Sequence, residues 1–141
     1  MKTKWLAAMA FLCVMTSSQI ALAQDLAVQL RGAWKQTSVV HKYVVSGVTN
    51  TRNAGGVVMF SYDGLFAQTF YSGVFFGSGT FKVEGDVVVL RYELCSQPAW
   101  IGQERRSSMQ VANKVLTWTS AQLVDAGGNA YNETYTLERI E

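Results

Sequence analysis

The stretch ERRSSMQVANKVLTWTSAQLV, Glu104–Val124, decides the architecture. Two runs, Glu104–Ala112 and Val115–Val124, flank the dipeptide Asn113-Lys114. Met109, Val111, Leu116 and Trp118 alternate with polar neighbours, the period-two pattern of a strand with one buried face. Two such runs joined by two residues form an antiparallel hairpin.

The same punctuation recurs on both sides of this hairpin. Gly85-Asp86 joins Gly77–Glu84 to Val87–Cys95, and Asp63-Gly64 joins Gly56–Tyr62 to Leu65–Ser72. Asp125–Asn129 leads into Tyr131–Ile140, and Gly32–Val44 opens the series. These stretches are rich in Val, Thr, Tyr, Phe and Trp, which suit a pleated surface. Asp25–Arg31 has a short helical period through Leu26 and Leu30, with Asp25 as a candidate N-cap. Eight strands in a meander without a crossover helix predict an all-β fold, an eight-stranded antiparallel up-and-down barrel with a short N-terminal helical turn. Closure removes the exposed edges and leaves an interior suited to one small ligand.

Alternation then assigns faces. With Trp34 inward, Gln36, Ser38 and Val40 follow it, while Lys35 and His41 point out. Apolarity selects Phe60, Phe66, Phe70, Phe81, Leu90, Tyr92, Met109, Leu116, Trp118, Tyr135 and Leu137 as the inner set. Arg105 shares the parity of Met109, and Gln68 lies between Phe66 and Phe70. On this reading no acid faces inward.

Before this domain, Lys2 and Lys4 precede an apolar run, Trp5–Met15, and Ala21-Leu22-Ala23 supplies a small-x-small site. That is the three-part pattern of a secretory leader. The run is shorter than the roughly 20 residues of a membrane-spanning helix. The expectation is a signal peptide over 1–23, a barrel domain over 24–141, and a periplasmic or secreted product. The chain carries 12 Lys and Arg against 10 Asp and Glu. Loss of Lys2 and Lys4 balances these charges, which removes the basic footprint expected of a nucleic-acid binder. Cys13 also lies in the leader, so Cys95 remains alone and is expected as a small buried hydrophobe.

Several motifs carry a family resemblance. Gly32-Ala33-Trp34 resembles the Gly-x-Trp of lipocalins, and Arg139 resembles the arginine that packs over that tryptophan. Gly55–Gly64, Gly79–Asp86 and Glu93–Arg106, followed by Leu116, are similar in order and spacing to the bacterial lipocalin-like domain family. The resemblance spans nearly the whole domain. It implies a small barrel with a pocket, a structural Trp34–Arg139 pair at the closed end, and Trp100 capping the mouth. Where that family often carries histidines this chain has Leu90 and Arg91, so no histidine chemistry is implied at those positions.

The leading functional expectation is a binder of a small apolar or amphipathic, acidic molecule. Phe60, Gln68, Phe70, Phe81, Leu90, Tyr92, Arg105, Met109, Trp118 and Tyr135 would line its site. An inward arginine without an acidic partner calls for an anionic or carbonyl group on the ligand. The alternative is a cofactor-free enzyme of isomerase, cyclase or decarboxylase type, with Glu93, Arg105, Tyr92 and Tyr135 moving protons. A third reading is a homo-oligomer or an envelope-complex subunit, with Val87 and Val89 as an outer apolar stripe. The sequence holds no zinc or EF-hand ligand spacing and no strand-to-helix glycine loop, so neither a metal nor a cofactor is expected.

Overall fold

A computed structural model describes residues 25–52, 55–70, 74–125 and 127–141. The leader assigned to 1–23 lies outside the described residues. Residues 25–30 form a helix. Nine strands follow among the described residues: β1 Gly32–Tyr43, β2 Thr49–Arg52, β3 Val57–Phe60, β4 Leu65–Phe70, β5 Phe75–Glu84, β6 Val87–Cys95, β7 Glu104–Ala112, β8 Val115–Val124 and β9 Ala130–Arg139. A 3-10 turn, Pro98–Trp100, interrupts the β6–β7 link. Every pairing is antiparallel, and β1 pairs with β9 to close a barrel of eight strands.

The strand absent from the sequence reading is β2. It pairs with Val39–Lys42, beyond the part of β1 that carries β3. All four of its residues are exposed. It covers no core, so it has no hydrophobic alternation to betray it. The expected hairpin links hold. Asn113 and Lys114 both adopt positive φ, at 50° and 64°, the backbone of a two-residue hairpin turn whose twist matches its strands.

One end of the barrel is shut. Leu26 and Leu30 of the helix are buried in one cluster with Trp34, Val58, Phe60, Leu116 and Leu137. The Trp34 indole N–H donates to the Leu30 carbonyl at 2.7 Å. Arg139 stacks its guanidinium 4.2 Å from the Trp34 ring centre and donates to the carbonyls of Arg31 at 2.7 Å and Gln29 at 2.5 Å. Gly32 makes room for this. Its φ is +111°, and a Cβ there would stand 2.9 Å from Arg139 Nη1. The Gly-x-Trp tripeptide and the arginine thus form one plug, which ties the helix to β1 and β9.

The outer stripe expected at Val87 and Val89 is not an exposed surface. Val89 is only 2% exposed. Lys82 and Arg106 oppose it on the two flanking strands. Both bind Glu84, at 2.9 and 2.5 Å, and this ion-pair cluster roofs the valine. Cys95 is buried, as expected of a small hydrophobe.

Candidate functional site

The interior divides into two halves. Towards the closed end, Phe60, Phe66, Leu90, Met109, Leu116 and Leu137 are all buried in one cluster, with Phe81 packed against it. Phe60 and Phe81 meet edge to face at 5.0 Å. Phe60, Phe81, Leu90 and Met109, expected as ligand contacts, do not line the cavity at the other end of the barrel. Inward orientation was legible, but their level along the barrel places them in the filled half.

Towards the open end lies a cavity of about 350 Å³. Of the expected contacts, Gln68, Phe70, Tyr92, Arg105, Trp118 and Tyr135 line it. Phe75, Gln97 and Trp100 join them at the mouth. An aromatic wall runs through consecutive ring contacts. Tyr92 meets Trp100 at 5.6 Å, Trp100 meets Phe75 at 5.2 Å, Phe75 meets Phe70 at 6.4 Å, and Phe70 stacks on Tyr135 at 4.6 Å. Trp100, for which the family resemblance implied a capping role, lines the cavity wall between Tyr92 and Phe75.

The opposite wall is polar. His41 faces Glu133 across β1–β9, Glu133 faces Ser120 across β8–β9, and Ser120 shares a 2.9 Å hydrogen bond with Ser107 of β7. Arg105 lies two residues before Ser107 on β7, on the same face. A strip of His41, Glu133, Ser120, Ser107 and Arg105 thus crosses four strands. Sequence reasoning missed all of these but Arg105. His41 was expected outside, but the β1–β9 register slips between Gln36 and Ser38. One extra residue reverses the facing of everything beyond it. Val39 therefore turns inward in place of Val40, Ser38 falls in the irregular step, and His41 comes inside. Its Nε2 lies 2.9 Å from Glu133 Oε1.

The expectation of no inward acid is corrected by the same pair. Glu133 shares parity with Tyr135 and Leu137, is buried, and lines the cavity. Selection by apolarity concealed it. Glu93, the acid proposed for catalysis, is exposed on β6 beside inward Tyr92. It does not join Arg105, Tyr92 and Tyr135.

Arg105 is half-buried, with its guanidinium 3.8 Å from the Trp100 ring centre. It forms no ion pair among the described residues. The Tyr92 hydroxyl accepts a 2.8 Å hydrogen bond from Gln68 Nε2, which leaves its own proton to be donated. Burial holds the Tyr92 phenol far above the usual tyrosine value, against the opposing Gln68 bond and the Arg105 charge. Tyr131 at the rim is also raised, by burial first and by Glu133 second. Two further buried polar atoms, Trp118 Nε1 and Gln68 Oε1, belong to cavity-lining side chains and have no hydrogen-bond partner among the described residues. Such atoms are costly unless something meets them.

The cavity therefore offers N–H and O–H donors from Arg105, Tyr92 and Trp118, between an aromatic wall and a polar wall of Ser107, Ser120 and Glu133. No group of three or more metal-ligating side chains occurs among the described residues. No family model matches the chain, and no curated protein matches it.

Proposed function

We propose that this chain is an exported, lipocalin-like barrel that binds a small amphipathic molecule with an acidic or carbonyl end. The closed eight-stranded barrel supports that reading, as does the plug of Gly32, Trp34 and Arg139. The observation that carries the ligand class is Arg105. It lines the cavity, is stacked on Trp100, and has no carboxylate partner among the described residues. An arginine fork suits a carboxylate, and the aromatic wall supplies apolar contact. No helix among the described residues is long and apolar enough to cross a membrane.

Native mass spectrometry of protein purified from its own host tests this. A co-purified organic acid that is lost in Arg105→Ala is the expected result. A protein that carries nothing and binds no organic acid added to it contradicts the proposal.

A second reading is favoured by one observation. The His41–Glu133 pair places a carboxylate oriented by an imidazole on the wall of the same cavity. That arrangement suits proton transfer on a bound molecule. Glu133, with Tyr92 and Arg105, takes the role first given to Glu93. Turnover of a bound ligand that stops in Glu133→Gln while binding persists would establish it.

A further inference from the structure

Two walls of different chemistry face each other across the cavity. In the eight-stranded circuit β5 stands four strands from β9, so Phe75 on β5 lies across the cavity from Glu133 on β9. The rings of Phe75, Trp100 and Tyr92 make one side. Ser107, Ser120 and Glu133 make the other, on the adjacent strands β7, β8 and β9. Arg105 stands on β7 where the two sides meet, two residues before Ser107, with its guanidinium on Trp100.

The polar side is a row of groups. Neighbouring strands are about 4.8 Å apart, so three residues on three adjacent strands extend over about 10 Å. One hydrogen bond of 2.9 Å joins Ser107 to Ser120, so one of their two hydroxyl protons is uncommitted among the described residues. Glu133 is 7% exposed, and His41 Nε2 holds its carboxylate at 2.9 Å. A carboxylate accepts several donors at once. The row therefore both accepts and donates hydrogen bonds. An acid with a wholly apolar body would cover these groups without matching them, at a cost for each one left unmet. A lone hydroxyl would meet one of the three positions. Several hydroxyls along one edge of a ring meet the whole row.

We infer that the ligand is a polyhydroxylated ring acid, the chemistry of a sugar acid. Its carboxylate meets Arg105, its hydroxyl edge meets Ser107, Ser120 and Glu133, and an apolar C–H face of the ring lies on the aromatic wall. The acid and the hydroxyls then share one side of the ligand, and the two serines keep its carboxylate apart from that of Glu133. This rests on the proposed acid-binding function and adds to it the class of acid.

Isothermal titration calorimetry of the purified protein with D-glucuronate, D-galacturonate, cyclohexanecarboxylate and D-glucose tests the inference. Cyclohexanecarboxylate keeps the ring and the acid without the hydroxyls, and glucose keeps the hydroxyls without the acid. At least one uronate is expected to bind about ten-fold or more tightly than cyclohexanecarboxylate, and more tightly than glucose. Ser107→Ala combined with Ser120→Ala is expected to erase most of the preference over cyclohexanecarboxylate, with Glu133→Gln as the second variant should the first fail to fold. Cyclohexanecarboxylate binding as tightly as both uronates overturns the hydroxyl row while leaving acid binding intact. Glucose binding as tightly as both uronates overturns the acid at Arg105. Binding of neither uronate overturns the inference, and the proposed function falls with it when cyclohexanecarboxylate also fails to bind.

Discussion

His41 Nε2 and Glu133 Oε1 stand 2.9 Å apart on the inner face of the barrel, brought together by the single register slip between Gln36 and Ser38. Their side chains are only 16% and 9% exposed. Removing the imidazole withdraws a hydrogen bond from a buried carboxylate. We expect His41→Ala to lower stability by about 1–2 kcal/mol, measured by urea denaturation. In a cycle with Glu133→Gln the two losses should fall short of additivity, as they do for residues in direct contact. Additive or absent effects would place His41 on the surface.

The closed-end plug yields a larger loss. Arg139→Ala removes a cation over the Trp34 ring and two charge-assisted hydrogen bonds to the helix carbonyls. About 3 kcal/mol of destabilisation is expected. Hydrogen exchange should show the amides of residues 25–31 losing protection before those of β7 and β8. Uniform loss of protection would contradict a local plug.

Tyr92 gives the barrel an alkaline limit. Its phenol is held above the ordinary value of 10.0, chiefly by burial. A group whose folded pKa is raised contributes stability that is full below the unfolded value and is lost as pH rises towards the folded one. Stability should therefore decline above about pH 10, and Tyr92→Phe should flatten that decline. Ultraviolet titration should show a phenol that ionises only as the protein unfolds. A Tyr92 signal that titrates with the exposed tyrosines would refute the buried placement.

The Tyr92 ring in turn depends on Gly77. A Cβ at Gly77 would lie 2.6 Å from Tyr92 Cε1, and Tyr92 is confined between Phe66 and Trp100 at ring-centre distances of 5.2 and 5.6 Å. Gly77→Ala should destabilise by about 1–3 kcal/mol and lower the affinity for the tighter-binding uronate in calorimetry. Unchanged affinity would remove Tyr92 from the site.

Much of this molecule was legible in its sequence, and the omissions have physical reasons. The two-residue turn at Asn113-Lys114 and the alternation of Met109, Val111, Leu116 and Trp118 follow from local chemistry, so the hairpins could be read. Parity also placed Gln68 and Arg105 inside. It failed at His41 because one inserted residue reverses facing, and nothing in the side chains around Thr37 marks the slip. Glu133 was within reach, since it lies two residues before Tyr135, but a search for apolar inward positions passes over a carboxylate. Parity also says nothing of level, so Phe60, Phe81, Leu90 and Met109 could not be told from true cavity residues. Glu93 illustrates the opposite error, in which a chemically suitable residue lies beside the site and faces away from it.

The central claim, a ligand seated at the open end against Trp100 and Trp118, is tested most directly by the indole N–H signals in a nitrogen–proton correlation spectrum. Trp34 donates to Leu30 within the closed-end plug, whereas Trp118 Nε1 has no partner among the described residues. Assignments would come from single Trp→Phe variants, and the titrant would be the tighter-binding uronate. The Trp118 and Trp100 signals are expected to move with saturation while the Trp34 signal stays in place. A saturable shift of Trp34 with Trp100 and Trp118 unmoved would put the ligand elsewhere and contradict it.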